Sequence, residues 1–329
     1  MTKIKVGFAI TGSFCTHEKI LKVLALVLAI VLIIGVGLFA NALVGNPVSK
    51  YLATKSANEY IEKTYSDKDF VIEEVNYDFK TGGYYARVTS PTSIDSHFSL
   101  SFDWMGKLVL DCYDDVTTGW NTAMRLEDDY RNAVKAVTES KDFSEKYFLA
   151  YGEIPCVLSD YPIDEEHPEY ALQKEELVLD KVYDIREVGA NHGKLVLYAY
   201  DEEVTVERLS ELLLEVKNKF DNSSVTFKAV DFVLEPPKKE GEAMMSDEQI
   251  QIKNFYYSDI YEDGLVERVK KANQETIEYD REQEKIKEEE IMNPIKYEEE
   301  VIEKVDNIFE EKEERMDIKE VKTLFRINP

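Results

Sequence analysis

Val23–Val44 reads VLALVLAIVLIIGVGLFANALV, 22 residues without a charge and with one amide, Asn41. About 20 apolar residues in a helix match the thickness of a bilayer core. Core helices of soluble proteins carry an apolar stripe rather than six turns apolar on every face. The run therefore predicts a transmembrane helix, with membrane lipid as its partner through residues 23–44.

Basic residues flanking such a span set its orientation. Lys3, Lys5, Lys19 and Lys22 precede it against Glu18 alone, and Lys50 and Lys55 follow before the chain turns acidic. This bias predicts a cytoplasmic N-terminal segment (1–22) and an extracytoplasmic bulk. Ala40-Asn41-Ala42 has the small-x-small form of a signal-peptidase site. The apolar run before it, about 18 residues, exceeds the usual h-region of about 7–15. A retained anchor is the expectation, and a form released by cleavage after Ala42 is its rival.

The formal net charge is −26, and residues 1–55 carry +5 of it, so the remainder carries −31. Such a surface repels phosphate backbones and excludes nucleic-acid binding. It also repels anionic headgroups. Three cysteines, Cys15, Cys112 and Cys156, are too few for a disulfide scaffold. Cys112 and Cys156 are expected to pack as small apolar side chains within strands.

Asn46-Pro47 ends the apolar helix, and Val48–Thr64 reads as a second one with Tyr51, Ala57, Tyr60 and Ile61 on a weak apolar face. The period then changes to two. Val71–Phe79 and Tyr84–Thr89 flank Thr81-Gly82-Gly83, a hairpin signal. Ser96–Trp104 alternates Phe98, Leu100, Phe102 and Trp104 against His97, Ser99, Ser101 and Asp103, and Lys107–Tyr113 follows a turn at Gly106. Thr117–Val137 carries Trp120, Ala123, Leu126, Tyr130, Val134 and Val137 at helical spacing, a stripe wide enough to cover the meander. Helix and sheet together make a first α+β domain at 46–140.

A second region, 142–262, holds strands at Tyr147–Gly152, Pro155–Leu158, Lys194–Tyr200, Val225–Leu234 and Gln249–Tyr257. Asp160–Lys174 reads as loop. Val204–Phe220 is a helix capped by Thr205, and a phase flip near Ala229 suggests a bulge. From 263 to 329 the composition is Glu and Lys, a solvated helical tail broken at Asn293-Pro294, with Val301, Val305, Ile308, Phe309 and Leu324 on a partial stripe. The fold class is thus α+β: one N-terminal transmembrane helix, two small α+β domains of helix plus antiparallel meander, and a charged helical tail.

No HExxH, CxxC, G-x-S-x-G, Walker loop or GxGxxG occurs. The four histidines are His17, His97, His167 and His192. His97, with Asp95 and Asp103 nearby, is a candidate carboxylate–histidine pair for an envelope hydrolase, against a plain surface role. Asp111, Asp114 and Asp115 are candidate ligands for Ca²⁺, although the spacing lacks an ordered calcium loop. A helix cap at Thr117 is the simpler reading of Asp114 or Asp115. Asp164, Glu165 and Glu166 read as a solvated loop.

Gly45-Asn46-Pro47-Val48-Ser49-Lys50-Tyr51-Leu52, Val71–Pro91, Ser93–Asp111 and Gly119–Arg131 together resemble the YfjL-like family over roughly residues 21–260. The resemblance implies a membrane anchor and extracytoplasmic α+β domains, and brings no catalytic residues. The helix-then-meander order is also similar to PepSY- and cystatin-like modules at the level of fold. Separately, Lys5–Thr16 (KVGFAITGSFCT) resembles the N-terminal strand and loop of the dipicolinate synthase flavoprotein. That resemblance would put Thr11, Gly12 and Ser13 in a loop approaching a flavin or nucleotide phosphate. The rest of a doubly wound sheet is missing, so no activity transfers with it. The sequence therefore predicts a non-catalytic binding or regulatory protein of the cell envelope, with a protein partner there and no cofactor.

Overall fold

The computed structural model describes residues 11–158, 168–237 and 248–292. Lys5–Ile10 of the flavoprotein-like segment, Asp164–His167, and the tail from Asn293 with its stripe lie outside the described residues.

Helix α1 is Thr11–Val44, and it is long and apolar enough to cross a membrane. Every described side chain from Ile20 to Val44 is exposed. Asn46 starts α2 (Pro47–Thr64): its Oδ1 accepts the Ser49 N–H at 2.8 Å, and Pro47 fills the first helical position, where no N–H is needed. The buried face of α2 is Ser49, Ala53, Ala57 and Ile61. Tyr51, expected on that face, is 67% exposed. Small residues at this spacing let the helix lie close to the sheet.

Strands β1 (Val71–Asp78), β2 (Gly83–Ser90), β3 (Ser93–Phe102) and β4 (Leu108–Asp111) form an antiparallel sheet in sequence order. Phe98, Leu100 and Phe102 point into a core with Ala53, Ala57, Ile61, Tyr84 and Val88. The alternation stops at Phe102, because Trp104 lies in the turn to β4 and is 65% exposed. The expected helix over 117–137 is two helices. Gly119, at φ +82°, separates α3 (Asp114–Thr117) from α4 (Trp120–Thr138). The helix that packs on this sheet is α2, joined by Val116 of α3, rather than the stripe of α4.

After α4 come α5 (Lys141–Ser144), β5 (Tyr147–Glu153), β6 (Cys156–Val157) and β7 (Leu172–Gln173). The last two pair in parallel as a small separate sheet. Then follow α6 (Ile185–His192), β8 (Lys194–Tyr200), α7 (Val206–Asp221), β9 (Ala229–Glu235), β10 (Ile250–Tyr256) and α8 (Leu265–Met292). The second four-stranded sheet has the order β10-β9-β8-β5. It is mixed, not a meander: β8 and β9 run parallel because α7 carries the chain back between them. Val225–Lys228 is not strand, so the phase flip at Ala229 marks the start of β9.

Among the described residues the chain divides into two compact units. One holds the chain through Asp129 with Ile154–Asp184, and the other Tyr130–Glu153 with everything from Ile185. This differs from a single break at 140–142. Within the second unit, Tyr130 is fully buried and donates its hydroxyl to the Thr226 carbonyl at 3.0 Å. Its ring fills space over Gly152, Gly189 and Gly193, where an added Cβ would clash with it. The edge of β10 is closed by α8. Asn273 Oδ1 accepts the Gln251 N–H and Thr276 Oγ1 the Lys253 N–H, each at 3.1 Å. A helix thereby covers strand groups that would otherwise template further pairing.

Candidate functional site

The densest polar constellation centres on Asp95. Register between β2 and β3 slips there: Thr89 pairs with His97, but Ser90 pairs with Ser93. The slip buries Asp95 completely, out of step with its exposed neighbours Ile94 and His97. Helix α4 supplies the partners. Arg125 donates Nε to Oδ1 at 2.6 Å and Nη2 to Oδ2 at 2.9 Å, and Thr122 donates its hydroxyl to Oδ2 at 2.9 Å. Positions 122 and 125, three apart, lie on one helix face.

Asp180 closes the site from the opposite direction in sequence. Its N–H donates to Asp95 Oδ2 at 2.8 Å, while its own Oδ1 accepts the Asp95 N–H at 3.1 Å and the Ser93 hydroxyl at 2.8 Å. It adopts φ 60°, a left-handed conformation that a side chain with local hydrogen bonds can hold. Arg125 Nη2 also donates to the Lys181 carbonyl at 3.0 Å, and Asn121 Nδ2 donates to the carbonyls of Asp95 and His97. Burial by itself would raise the pKa of Asp95. The bonds from Arg125, the Asp180 N–H and Thr122 outweigh it and hold the carboxyl below the usual range. The result is a charged, fully coordinated carboxylate with no proton to give. It is a clasp joining β3, α4 and the segment 178–181.

His97 and Asp103 do not join it. Asp103 Oδ1 accepts the N–H groups of Met105 and Lys107 at 2.8 and 2.9 Å and so shapes the turn before β4. His97 is exposed on β3, and no hydrogen bond links it to Asp95 or Asp103. Asp111, Asp114 and Asp115 also have separate roles. Asp111 Oδ2 accepts the hydroxyls of Tyr60 at 2.9 Å and Tyr65 at 2.7 Å, and its Oδ1 accepts the Tyr113 N–H at 2.9 Å. Burial raises the pKa of both tyrosines, and the Asp111 charge raises it further. Asp114 and Asp115 form the first turn of α3, where negative charge suits the helix dipole. Among the described residues no cluster of three metal-ligating side chains occurs.

Thr11, Gly12 and Ser13 open α1 as helix, not as a phosphate-approaching loop. Cys112 and Cys156 are free thiols. Burial pushes the Cys156 thiol up to about 12, with Glu127 adding to it, so the group is poorly nucleophilic. A cleft of about 360 Å³ beside α3 is walled by Thr118, Thr122, Lys174 and Leu177 among others. Its threonine hydroxyls are engaged within the fold: Thr118 with the Asp114 carbonyl and Thr122 with Asp95.

The sequence points to Asp95 but not to Asn121, Thr122, Arg125 or Asp180. The one available signal was a polar face, Asn121, Thr122 and Arg125, beside the apolar stripe of α4.

Comparison with curated proteins and with solved structures returns no match. Family models do match: the YfjL-like N-terminal domain covers residues 20–111 and the YfjL-like C-terminal domain covers residues 150–270. The two models lie in order along the chain and together span well over half of it, and the protein belongs to the YfjL-like family.

Proposed function

We propose that the protein is a single-pass membrane protein with a cytoplasmic N-terminus, whose bulk is a non-catalytic binding or regulatory module of the cell envelope. The observation that carries this reading is α1, apolar from Val23 to Val44 and exposed at every described side chain from Ile20 onward. Retention rather than cleavage is supported at Ala42, whose carbonyl would belong to the bond cut by a signal peptidase. That carbonyl lies within helix and accepts the Tyr77 hydroxyl at 2.9 Å. A non-catalytic role is supported by the bonding of three candidate carboxylates. Asp95 is saturated as a clasp, Asp103 shapes a turn, and Asp111 is held by two tyrosines.

The test is extraction of native membranes with alkaline carbonate, with the intact mass of the retained protein. The full-length chain is expected in the pellet. A chain beginning at Leu43 in the soluble fraction would overturn it.

A further inference from the structure

The exit of α1 is fixed to one end of the first sheet. Tyr77 and Tyr84 are cross-strand partners, and Tyr84 in turn pairs with Phe102. Tyr77 donates to the Ala42 carbonyl, and the Tyr84 hydroxyl accepts the Asn46 N–H at 2.8 Å and donates to the Asn46 carbonyl at 3.0 Å. Gly45 turns the chain between them at φ +70°, and a Cβ there would lie 2.6 Å from the Tyr84 hydroxyl. Two more features set the direction of α2. Its start lies against the turn before β4, where a Cβ on Gly106 would meet the Leu52 backbone at 2.9 Å. Past its end, Tyr65 packs on Phe70, Phe98 and Tyr113. The helix therefore runs from the turn end of the sheet to the opposite end.

Just past the row Tyr77–Tyr84–Phe102 the strands end in two turns that carry large exposed apolar side chains. Phe79 is 61%, Trp104 65% and Met105 61% exposed. Phe79 follows Tyr77 by two residues and Trp104 follows Phe102 by two, so both lie in the turns just past the row that holds the exit of α1. Val48 and Tyr51, in the first turns of α2, are exposed as well. The charge at this end is also unusual for so acidic a chain. Lys50, Lys80 and Lys107 are exposed there, and none is ion-paired among the described residues. The acids beside them, Asp78 and Asp103, are bonded to their own turns.

We infer that this end of the first unit is a lipid-facing seat: Phe79, Trp104 and Met105 enter the headgroup boundary of the same bilayer that α1 enters, and Lys50, Lys80 and Lys107 meet anionic headgroups. Aromatic side chains favour that boundary, and lysine stems lie along it with the charge in water. Apolar turn tips otherwise left in water gain cover, and the three lysines gain counter-charge. The inference rests on the anchor reading above. It fixes the first sheet end-on to the membrane instead of leaving it on a free tether.

The test uses the full chain in phosphatidylcholine vesicles containing phosphatidylglycerol, with acyl-brominated lipid as quencher. Trp120→Phe leaves Trp104 as the single tryptophan, and Trp104→Phe leaves Trp120 as the reference. The expected result is co-flotation of both variants, with Trp104 quenched several-fold more than Trp120 and more strongly as the phosphatidylglycerol fraction rises. Lys50→Gln, Lys80→Gln and Lys107→Gln together should remove that rise. Co-flotation with the two tryptophans quenched alike overturns the seat and leaves the anchor standing. Failure to co-float overturns the anchor and the seat together.

Discussion

Asp95 and Arg125 face each other as a two-bonded pair, Nε–Oδ1 2.6 Å and Nη2–Oδ2 2.9 Å, with the Asp95 side chain 1% and the Arg125 side chain 22% exposed. A planar guanidinium matches both carboxylate oxygens at once, which a lysine cannot do. Removing one partner leaves the other buried and uncompensated. Asp95→Asn or Arg125→Ala is expected to cost roughly 3 kcal/mol, the lower part of the range for buried pairs because Arg125 reaches water. Arg125→Lys should recover only part of that loss. Urea unfolding of the full chain in detergent checks this. The double variant should cost clearly less than the sum of the two single variants. Strict additivity would mean that the two residues are not coupled.

The pH dependence follows from the same bonds. The folded pKa of Asp95 lies below the usual unfolded value of about 3.9. As pH falls, the unfolded chain takes up the proton first, so the stability given by the clasp is complete above that value. It is lost as pH drops through the folded pKa. Asp201 acts with the same sign: burial raises its pKa, and the Glu203 N–H and Arg208 together lower it further than that. Melting temperature should therefore fall on acidification below about pH 4. The fall should be shallower in Asp95→Asn. An equal slope in the variant and the parent would remove Asp95 as a contributor.

Thr276→Val keeps the shape of the side chain but removes the acceptor of the Lys253 N–H. Leaving such a group without a partner is expected to cost about 1–2 kcal/mol. Hydrogen exchange at Lys253 should speed up well before exchange elsewhere in the second sheet. Unchanged exchange at that amide would show that α8 does not protect the β10 edge.

Adding Ca²⁺ should leave the melting temperature unchanged. A ligand that binds only the folded state must raise apparent stability. Asp111 is instead engaged by Tyr60, Tyr65 and the Tyr113 N–H. A rise that Asp111→Asn abolishes would restore the calcium reading.

Much of the architecture was legible in local pattern. The apolar run is helical as expected, although α1 begins earlier, at Thr11; the cap at Thr205 accepts the Arg208 N–H, and Lys194–Tyr200 is a strand with the expected limits. What failed was long-range. A strand, a 16-residue helix and a strand form the unit that returns a chain in parallel, so the β8–β9 pairing was readable from the order of elements although no single segment reports it. The stripe of α4 gave a helix but not its neighbours, since an apolar face does not name what it meets. Asp95 looked like a reactive carboxylate only while Arg125, 30 residues away, and Asp180, 85 residues away, were out of view. A register slip in β3 buries it, and alternation of residue types does not reveal such slips.

We propose above a retained anchor with the bulk of the chain outside the cytoplasm. Thiol labelling in intact cells is the decisive measurement. With Cys15, Cys112 and Cys156 replaced by serine, Glu202→Cys and Lys3→Cys provide one reporter on each side of α1. With a membrane-impermeant maleimide, Glu202→Cys should label in intact cells, while Lys3→Cys should label only after permeabilisation. Labelling of Lys3→Cys from outside with Glu202→Cys protected, or of neither until lysis, would contradict it.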